Sequence, residues 1–347
     1  MAAEAMTGEE LRAYRDACGL GQQELAQALN DKLGRRYDRN KISRWENGAE
    51  RIPQLVAAAL NHRKAGAPGG IPAVVGLAAG PALVMVCVNQ KGGVGKTTST
   101  VNVAYLLARR GARTLVVDCD PQANATIHFG VDPHERDLAR RTLTHVLFAA
   151  TPTAEAVVPV CDGLLSLLPS SISLAAADAE ILKEPNGTLL LREKLDEVRD
   201  AYDFILIDCP PNLGQVTVSA LNAADQVLIP SQTEMLSIMG IPMLLETLDK
   251  VRRRVNPKVA ALGVLPTLHK ARRLQDQAMM DELRRIAEGA RLRVFTPVKD
   301  AADYAKGVTA GRPALEMNPG AAGADSYAEV ADALLALATK GEARHVA

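Results

Sequence analysis

The hydrophobic positions of the chain follow two different periods, one before about residue 64 and another after residue 83. In the first stretch apolar residues recur every three or four positions, which predicts short amphipathic helices. From residue 83 onward, short apolar runs rich in β-branched residues alternate with longer amphipathic stretches. This alternation predicts parallel strands that are buried on both faces and joined by helices. The pattern therefore predicts a small all-α domain followed by an α/β domain with a doubly wound, mostly parallel sheet.

Changes in composition predict where the domains end. We expect a helical domain over residues 1–64, an α/β domain over 83–340 and a short tail over 341–347. The segment 65–82 between the two domains is rich in Ala, Gly and Pro and nearly free of charge, which is typical of a linker. Within the α/β domain the pattern predicts an amphipathic helix over 189–198 and strands over 83–89, 113–117, 164–168, 203–208, 225–229, 262–266 and 294–297.

A glycine-rich run follows the first of these strands and leads into a helix. Glycines let backbone N–H groups turn inward around an anion, and a helix N-terminus adds the positive end of its dipole. Lys96 would supply a mobile charge for phosphates, and the Thr97 hydroxyl is placed to bind Mg²⁺. The run departs from the usual phosphate-loop pattern because Gln90 stands where the first glycine belongs and Lys91 follows it.

The run from Lys91 to Thr98, K-G-G-V-G-K-T-T, resembles the deviant Walker A motif of the ParA/MinD family of dimeric P-loop ATPases. The resemblance implies ATP and Mg²⁺ as cofactors and a homodimer that encloses two nucleotides. It also implies that Lys91 acts in catalysis with Lys96, by reaching the nucleotide of the partner protomer. The loop residues expected at the nucleotide are Gly92, Gly93, Val94, Gly95, Lys96, Thr97 and Thr98.

Three aspartates stand at the carboxyl ends of predicted strands, the edge where open α/β sheets hold ligands. Asp118 and Asp120 lie in V-D-x-D-P-Q, which resembles a family motif whose second aspartate acts in hydrolysis. Asp120 is therefore expected to orient the attacking water, and Asp118 to lie close behind the metal. The alternative is that this pair only caps the next helix. Asp208 ends an apolar strand in the manner of a Walker B aspartate and is expected to hold Mg²⁺ with Thr97.

The adenine site follows from the resemblance alone. It implies contacts from Thr267, Pro297 and Asp300, although the loop over 298–312 departs from the family pattern. Glu234 falls in a segment that resembles the one beside the phosphates and the dimer face. For Glu234, helix capping is the alternative.

The helical domain resembles the Xre/Cro-like helix-turn-helix family through L-x-x-x-R-x-x-x-G-L-x-Q-x-E-L-A and I-S-R-W-E-N-G. By that resemblance Gln22 begins the second helix near a phosphate, and the third helix, capped by Asp38, reads DNA bases. Residues 1–64 carry only 11 Lys and Arg against 9 Asp and Glu, so a docking or dimerisation module without DNA contact stays open. The DNA-contacting residues expected here are Gln22, Arg39, Asn40, Lys41 and Arg44.

A second candidate DNA surface lies between Lys250 and Arg273, where eight basic residues and no acidic ones occur. Arg272 follows T-x-x-x-A and matches the position that the family uses for sequence-independent DNA binding. A solvated helix face is the alternative explanation for a run of charge. The residues expected to contact DNA are Arg252, Arg253, Lys270, Arg272 and Arg273.

Composition limits the kinds of DNA binding and the cellular location that we expect for this protein. Lys plus Arg and Asp plus Glu both total 40, so DNA binding must come from local patches, and aromatic residues, at 3%, are too scarce for a single-strand stacking platform. The five cysteines show no metal-binding or disulfide spacing. We expect no signal segment and no membrane span, hence a cytoplasmic protein associated with the nucleoid.

Three functions are compatible with these features. The first is a DNA-partition ATPase that binds nonspecific DNA as the ATP dimer, is stimulated by a ParB-type centromere-binding partner and represses its own operon through the helix-turn-helix domain. The second is a transcription regulator that senses ATP. The third is a MinD-like positioning ATPase, which is disfavoured because the polar side of 326–337 is acidic and not basic.

Overall fold

The computed structural model describes residues 7–17, 21–33, 35–53, 56, 80–270 and 274–342. These residues form two compact units, an N-terminal helical unit and an α/β unit. Most of the predicted linker over 65–82 and one of the five cysteines, Cys18, lie outside the described residues. No helix in the described ranges has both the length and the apolar character needed to cross a bilayer.

The N-terminal unit contains helices α1 (Gly8–Ala17), α2 (Gln22–Leu33) and α3 (Arg39–Glu46). The predicted cap of α3 is confirmed, because the Asp38 side chain accepts a hydrogen bond from the Lys41 backbone N–H at 2.7 Å. In the turn before α3, the Asn30 side chain binds both the N–H and the carbonyl of Tyr37. Packing between the helices buries Leu11, Leu25, Leu29, Ile42 and Trp45.

Glu46 is a buried charge that ties the three helices together. Its carboxylate accepts hydrogen bonds from Arg15 Nε at 2.6 Å and from Gln22 Nε2 at 2.7 Å. Burial alone would raise the pKa of Glu46, but the hydrogen bonds from Arg15 and Gln22 lower it below its ordinary value of 4.5. The stability that this lowered pKa contributes is present above pH 4.5 and is lost as the pH falls below it.

Replacing Glu46 with alanine is expected to destabilise the N-terminal unit by about 2–4 kcal/mol, because the part-buried Arg15 and Gln22 side chains lose their buried acceptor. Trp45 is the only tryptophan of the chain and is buried in this unit, so its fluorescence during urea unfolding reports this unit alone. Glu9→Ala, at an exposed position of α1, serves as the control. An equal midpoint for Glu46→Ala and the parent would show that the network contributes nothing.

A single seven-stranded sheet forms the centre of the α/β unit among the described residues, with strand order β3-β4-β2-β5-β1-β6-β7. All neighbouring pairs are parallel except β3 with β4, so the predicted doubly wound, mostly parallel sheet is confirmed. The strands are β1 (Leu83–Cys87), β2 (Thr114–Asp118), β3 (Val158–Val160), β4 (Leu165–Leu168), β5 (Phe204–Asp208), β6 (Gln226–Gln232) and β7 (Ala260–Thr267).

Helices cover the sheet and supply the other half of its core, which includes Leu115, Ile205, Ile207 and Val227. Short 3₁₀ helices span Ile172–Ala176, Gly187–Leu189 and Arg199–Ala201. The α-helices are α4 (Lys96–Arg109), α5 (Asn124–His128), α6 (Pro133–Leu138), α7 (Leu143–Phe148), α8 (Thr153–Ala156), α9 (Ala177–Lys183), α10 (Leu190–Asp196), α11 (Gln215–Ala223), α12 (Met235–Arg254), α13 (Leu274–Gly289), α14 (Ala302–Ala310), α15 (Ala314–Met317) and α16 (Ala324–Glu342).

One predicted strand is wrong. Residues 294–297 do not form a strand of the sheet, and their pairing is reduced to a single bridge between Val264 and Val294. A second bridge joins His269 and Lys299. Gly263, with a φ of +152°, bends β7 here, and a side chain at that position would collide with the Arg293 carbonyl. Backbone hydrogen bonds from the Val264 N–H to the Arg293 carbonyl and from the Phe295 N–H to the Val264 carbonyl still join the two segments, without a continuous ladder.

Candidate functional site

The glycine-rich loop connects β1 to α4 at the carboxyl edge of the sheet. Asn89 anchors its start, since its side chain donates to the Pro230 carbonyl on β6 at 2.7 Å and accepts from the Lys91 N–H at 3.0 Å. Gly93 and Gly95 have φ values of +72° and +81°, a conformation that favours glycine. The loop therefore has the strand, turn and helix context that a phosphate-binding loop requires.

Two predicted residues close the loop from inside. Lys96 is 7% exposed, and its ammonium donates to the Lys91 carbonyl at 3.1 Å, so the chain folds back over the loop. Thr267, at the end of β7, donates from its hydroxyl to the Val94 carbonyl at 2.8 Å. Thr267 therefore lies against the phosphate loop, next to Gly95.

Thr97 and Asp208 meet as expected of a metal site. The Thr97 hydroxyl donates to Asp208 Oδ2 at 2.6 Å, while Asp208 Oδ1 is buried without a hydrogen-bond partner among the residues that the structure describes. Burial raises the pKa of Asp208 well above its ordinary value, and the neighbouring charge of Asp118 adds to the effect. A carboxylate and a hydroxyl with an unsatisfied buried oxygen fit Mg²⁺, which prefers oxygen ligands.

Asp118 lies opposite Asp208 in the register of β2 and β5, and both are fully buried. Its Oδ2 accepts from the N–H and the hydroxyl of Thr126 at 2.8 and 2.7 Å, and its Oδ1 accepts from the Asp120 N–H at 3.1 Å. Burial raises the pKa of Asp118 to about 6, although the Thr126 hydrogen bonds oppose this shift. Its oxygens hold the loop that carries Asp120, and its placement behind a metal stays a prediction.

Asp120 is 6% exposed at the start of that loop. Its Oδ1 accepts from the Gln122 N–H at 2.9 Å, whereas among the described residues Oδ2 has no hydrogen-bond partner. Ala123 at the end of the loop adopts a φ of +54°, which is unusual for a residue with a side chain and is typical of strained functional loops. The loop thus presents one carboxylate oxygen of Asp120 that is not engaged by the fold.

Lys91 is held by its own chain. Its Nζ lies 2.5 Å from Glu234 Oε2 and 3.1 Å from Gln232 Oε1, both at the end of β6. Gln232 also donates from Nε2 to the Gly93 carbonyl at 2.9 Å. The side-chain cap that was the alternative for Glu234 is absent, although the residue occupies the N-cap position of α12.

The predicted adenine residues lie on two adjoining segments. The His269 N–H donates to the Val298 carbonyl at 3.0 Å, which places the segment after β7 beside 297–300. Asp300 Oδ2 lies 3.2 Å from Lys270 Nζ, so a residue expected at adenine pairs with one expected at DNA. The Pro297 carbonyl accepts from the Ser326 hydroxyl at 3.1 Å.

In the N-terminal unit, Arg39 and Asn40 are exposed in the first turn of α3. Lys41 forms an ion pair with Glu50, and Arg44 Nη1 lies 3.3 Å from the same carboxylate. The Gln22 amide is committed to Glu46. The predicted base-contacting residues therefore share the exposed side of α3, while Gln22 serves the core.

At the basic end of α12, Arg252 donates from Nε to the Val259 carbonyl at 2.9 Å and Arg253 pairs with Asp249 at 2.8 Å. Arg272 and Arg273 lie outside the described residues. The structure therefore shows an exposed basic helix end, and the remaining predicted contacts stay predictions.

Two residues of the site were not named among the predicted site residues. Thr126 orders Asp118 from eight positions further along the chain, outside any motif. Gln232 joins Lys91 to the phosphate loop from 141 positions away. Gln232 could have been indicated by its position at the end of a predicted strand and by the segment that it shares with Glu234, which resembles the family's segment beside the phosphates.

Two family models match the chain. A helix-turn-helix domain model matches residues 8–67, and an AAA domain model matches residues 82–261, more than half of the 347 residues. The two matches correspond to the helical unit and to the part of the α/β unit that holds the phosphate loop and Asp208.

Relatives in other bacteria are similar to much of the chain. The chromosome partitioning protein ParA of Myxococcus xanthus is 38% identical over 201 residues, which cover 58% of this chain and 70% of that protein. The chromosome-partitioning ATPase Soj of Treponema pallidum is 41% identical over 191 residues, covering 54% and 72%. An uncharacterised protein of Mycobacterium tuberculosis is 37% identical over 264 residues, covering 74% and 79%.

Solved structures that cover about three quarters of this chain have a similar fold. A cobyrinic acid a,c-diamide synthase from Mycobacterium smegmatis, with bound ADP and magnesium, has a TM-score of 0.62 at 32% identity, over 73% of this chain and 94% of that one. The cell division ATPase MinD of Pyrococcus furiosus has a TM-score of 0.60 at 25% identity, over 74% and 99%. With the deviant phosphate loop, these matches show that the chain belongs to the ParA/MinD family of P-loop ATPases and carries an N-terminal helix-turn-helix region.

Proposed function

We propose that this protein is a DNA-partition ATPase that hydrolyses ATP with Mg²⁺ and switches between monomer and DNA-bound dimer. The observation that carries the proposal is the cluster at the carboxyl edge of the sheet, where Lys96, Thr97, Asp208 and Asp120 converge on one glycine loop. ATP and Mg²⁺ fit this cluster because it offers backbone N–H groups, one mobile cation and unsatisfied carboxylate oxygens.

Each residue of the cluster has a proposed task. The loop from Gly92 to Thr98 binds the phosphates, and Lys96 moves from the Lys91 carbonyl to the phosphate oxygens. Thr97 and Asp208 hold the metal, which when bound neutralises charge on the β- and γ-phosphates. Thr267, Pro297 and Asp300 border the adenine. Asp118 keeps the Asp120 loop in place through its own hydrogen bonds.

Asp120 is proposed to orient the attacking water. Its Oδ2 has no partner within the described ranges, so it can accept a hydrogen bond from water without breaking the loop. Phosphoryl transfer needs such positioning more than covalent chemistry. Hydrolysis by the isolated protein is expected to be slow and to be stimulated by DNA and by a ParB-type partner.

The homodimer is proposed on two features beside the loop. Lys91 is the extra lysine that distinguishes this loop, and it is 28% exposed at the rim of the site. The helix that follows Glu234 presents Met235, Met239 and Met243 at a spacing of four residues, with exposures of 51%, 61% and 59%. An exposed apolar helix face next to the site suits contact with a second copy.

DNA enters the proposal in two ways. The ATP dimer binds nonspecific DNA through Arg252, Arg253, Lys270, Arg272 and Arg273. The helix-turn-helix region, over 1–64, binds an operator through Arg39, Asn40, Lys41 and Arg44 and represses the operon. We propose a cytoplasmic protein on the nucleoid.

Replacing Arg272 with alanine is expected to weaken binding to a random-sequence duplex in the ATP state by about tenfold and to reduce its salt slope by about one. Fluorescence anisotropy over a salt series measures both quantities. Lys183→Ala removes an exposed positive charge on α9 and is the matched control. Binding that is indifferent to nucleotide in the parent would favour an ATP-sensing transcription regulator.

A further inference from the structure

Lys91 and Glu234 form an ion pair within one protomer. The Lys91 ammonium lies 2.5 Å from Glu234 Oε2 and 3.1 Å from Gln232 Oε1, so two of its three donors are engaged. Gln232 donates at the same time to the Gly93 carbonyl, which fixes the direction of its amide. The end of β6 thus holds both the phosphate loop and the lysine that distinguishes it.

The helix does not use the Glu234 side chain. Glu234 stands at the N-cap of α12, yet its side chain makes no capping hydrogen bond there. Only its backbone carbonyl takes part, by accepting from the N–H groups of Ser237 and Ile238. A carboxylate at this position therefore serves Lys91 and not the local fold. Replacing it by the isosteric amide leaves the backbone contacts in place.

The ion pair between Lys91 and Glu234 is weak enough to break when Lys91 finds another partner. The Glu234 side chain is 61% exposed and that of Lys91 is 28% exposed. An exposed ion pair contributes about 1.4- to 5-fold to an equilibrium constant. The Lys91 ammonium lies 2.5 Å from this carboxylate, so it must leave Glu234 before it can bind a phosphate oxygen of another protomer's nucleotide.

We propose that Glu234 is a positioning residue that holds Lys91 against its own protomer and competes for it with the triphosphate bound by the partner protomer. Dimer closure then breaks two such pairs, one in each protomer. Glu234 consequently raises the dissociation constant of the ATP-bound dimer, by the square of the contribution of one pair. This inference rests on the homodimer of the proposed function and adds its control.

The test uses the full-length parent, Glu234→Gln, Lys91→Ala and the double variant, each with Mg²⁺ and a non-hydrolysable ATP analogue. Sedimentation velocity gives the dimer dissociation constant. Glu246→Gln is the matched control, because Glu246 is exposed on the same helix and pairs with Lys250 at 2.7 Å. Glu234→Gln is expected to tighten the dimer by about 2- to 30-fold, and Glu246→Gln to leave it unchanged.

The double variant separates an action through Lys91 from simple charge repulsion. In the Lys91→Ala background, Glu234→Gln is expected to have no effect, because the restrained group is gone. A dimer that is unchanged or weaker in Glu234→Gln, or an equal gain in the Lys91→Ala background, would overturn the inference while the proposed function stands. A parent that stays monomeric with the analogue would instead contradict the proposed function itself, and the inference with it.

Discussion

An Asp120→Ala variant is expected to bind ATP with nearly unchanged affinity and to hydrolyse it at least about 100-fold more slowly than the parent. The reason lies in the hydrogen bonds of the Asp120 loop. Asp118 and Thr126 hold that loop through the Asp120 backbone and through α5, so the loop survives loss of the Asp120 side chain. What is lost is the carboxylate oxygen proposed to orient water.

The measurement pairs phosphate release under saturating ATP with ATP affinity by equilibrium dialysis. The conservative variant Asp120→Asn distinguishes charge from shape, since an amide keeps the size of the side chain but accepts a weaker hydrogen bond. Hydrolysis by Asp120→Ala at the parental rate would show that Asp120 does not orient the attacking water. A joint loss of binding and hydrolysis would point instead to collapse of the loop.

The second large effect concerns Asp208. Replacing it with asparagine is expected to stabilise the protein in the absence of nucleotide and to abolish most of the stabilisation that ATP and Mg²⁺ provide. Burial beside Asp118 raises the pKa of Asp208 well above its ordinary value, so the ionised carboxylate is unfavourable in the folded protein at neutral pH. Asparagine removes that charge and keeps an oxygen for the Thr97 hydroxyl.

The sign of the pH dependence follows from the raised pKa values. A carboxyl group whose pKa is higher in the folded state stabilises below its unfolded pKa, and this contribution disappears as the pH rises through the folded pKa. For Asp118 that window runs from its ordinary 3.8 to about 6. The contribution of Asp118 to the stability of the nucleotide-free protein should therefore fall across this window, while binding of Mg²⁺, which needs ionised carboxylates, should strengthen.

Thermal unfolding at pH 7.5 checks the Asp208 prediction. We expect a higher Tm for Asp208→Asn than for the parent without ligand, and a loss of 10- to 100-fold in metal affinity. Asp281→Asn, at an exposed position of α13, is the control. If Asp208→Asn were less stable than the parent without ligand, the claim that the buried Asp208 carboxylate destabilises the nucleotide-free protein would be contradicted.

Sequence patterns predicted those parts of the site that depend on local chemistry. The turn at Gly93 and Gly95 needs glycine, and Asp38 caps α3 by accepting from the N–H three residues ahead. An apolar strand that ends in Asp208 at the carboxyl edge of a parallel sheet predicts a ligand site. Such features are written in a few neighbouring positions. The phosphate-loop motif alone therefore indicated the family to which the relatives also belong.

Contacts between distant positions could not be predicted in this way. The pairing of Lys91 with Glu234 joins residues 143 positions apart, and it depends on β6 lying beside β1. The segment 294–297 has the composition of a strand, but it pairs with β7 only through an isolated bridge at Val264, next to the unusual backbone of Gly263. Strand β3 is three residues long and pairs in antiparallel fashion at the sheet edge, too short for its pattern to stand out.

The most direct test of the central claim measures how tightly the protein binds a random-sequence DNA duplex without nucleotide, with ADP and Mg²⁺, and with ATP and Mg²⁺, for the parent and for Lys91→Ala. The account predicts tight binding by the parent only with ATP and Mg²⁺, and much weaker binding by Lys91→Ala under the same condition, because the dimer closes less tightly around the nucleotide without this lysine. Equal DNA affinity under all three conditions, or full ATP-dependent binding by Lys91→Ala, would contradict it.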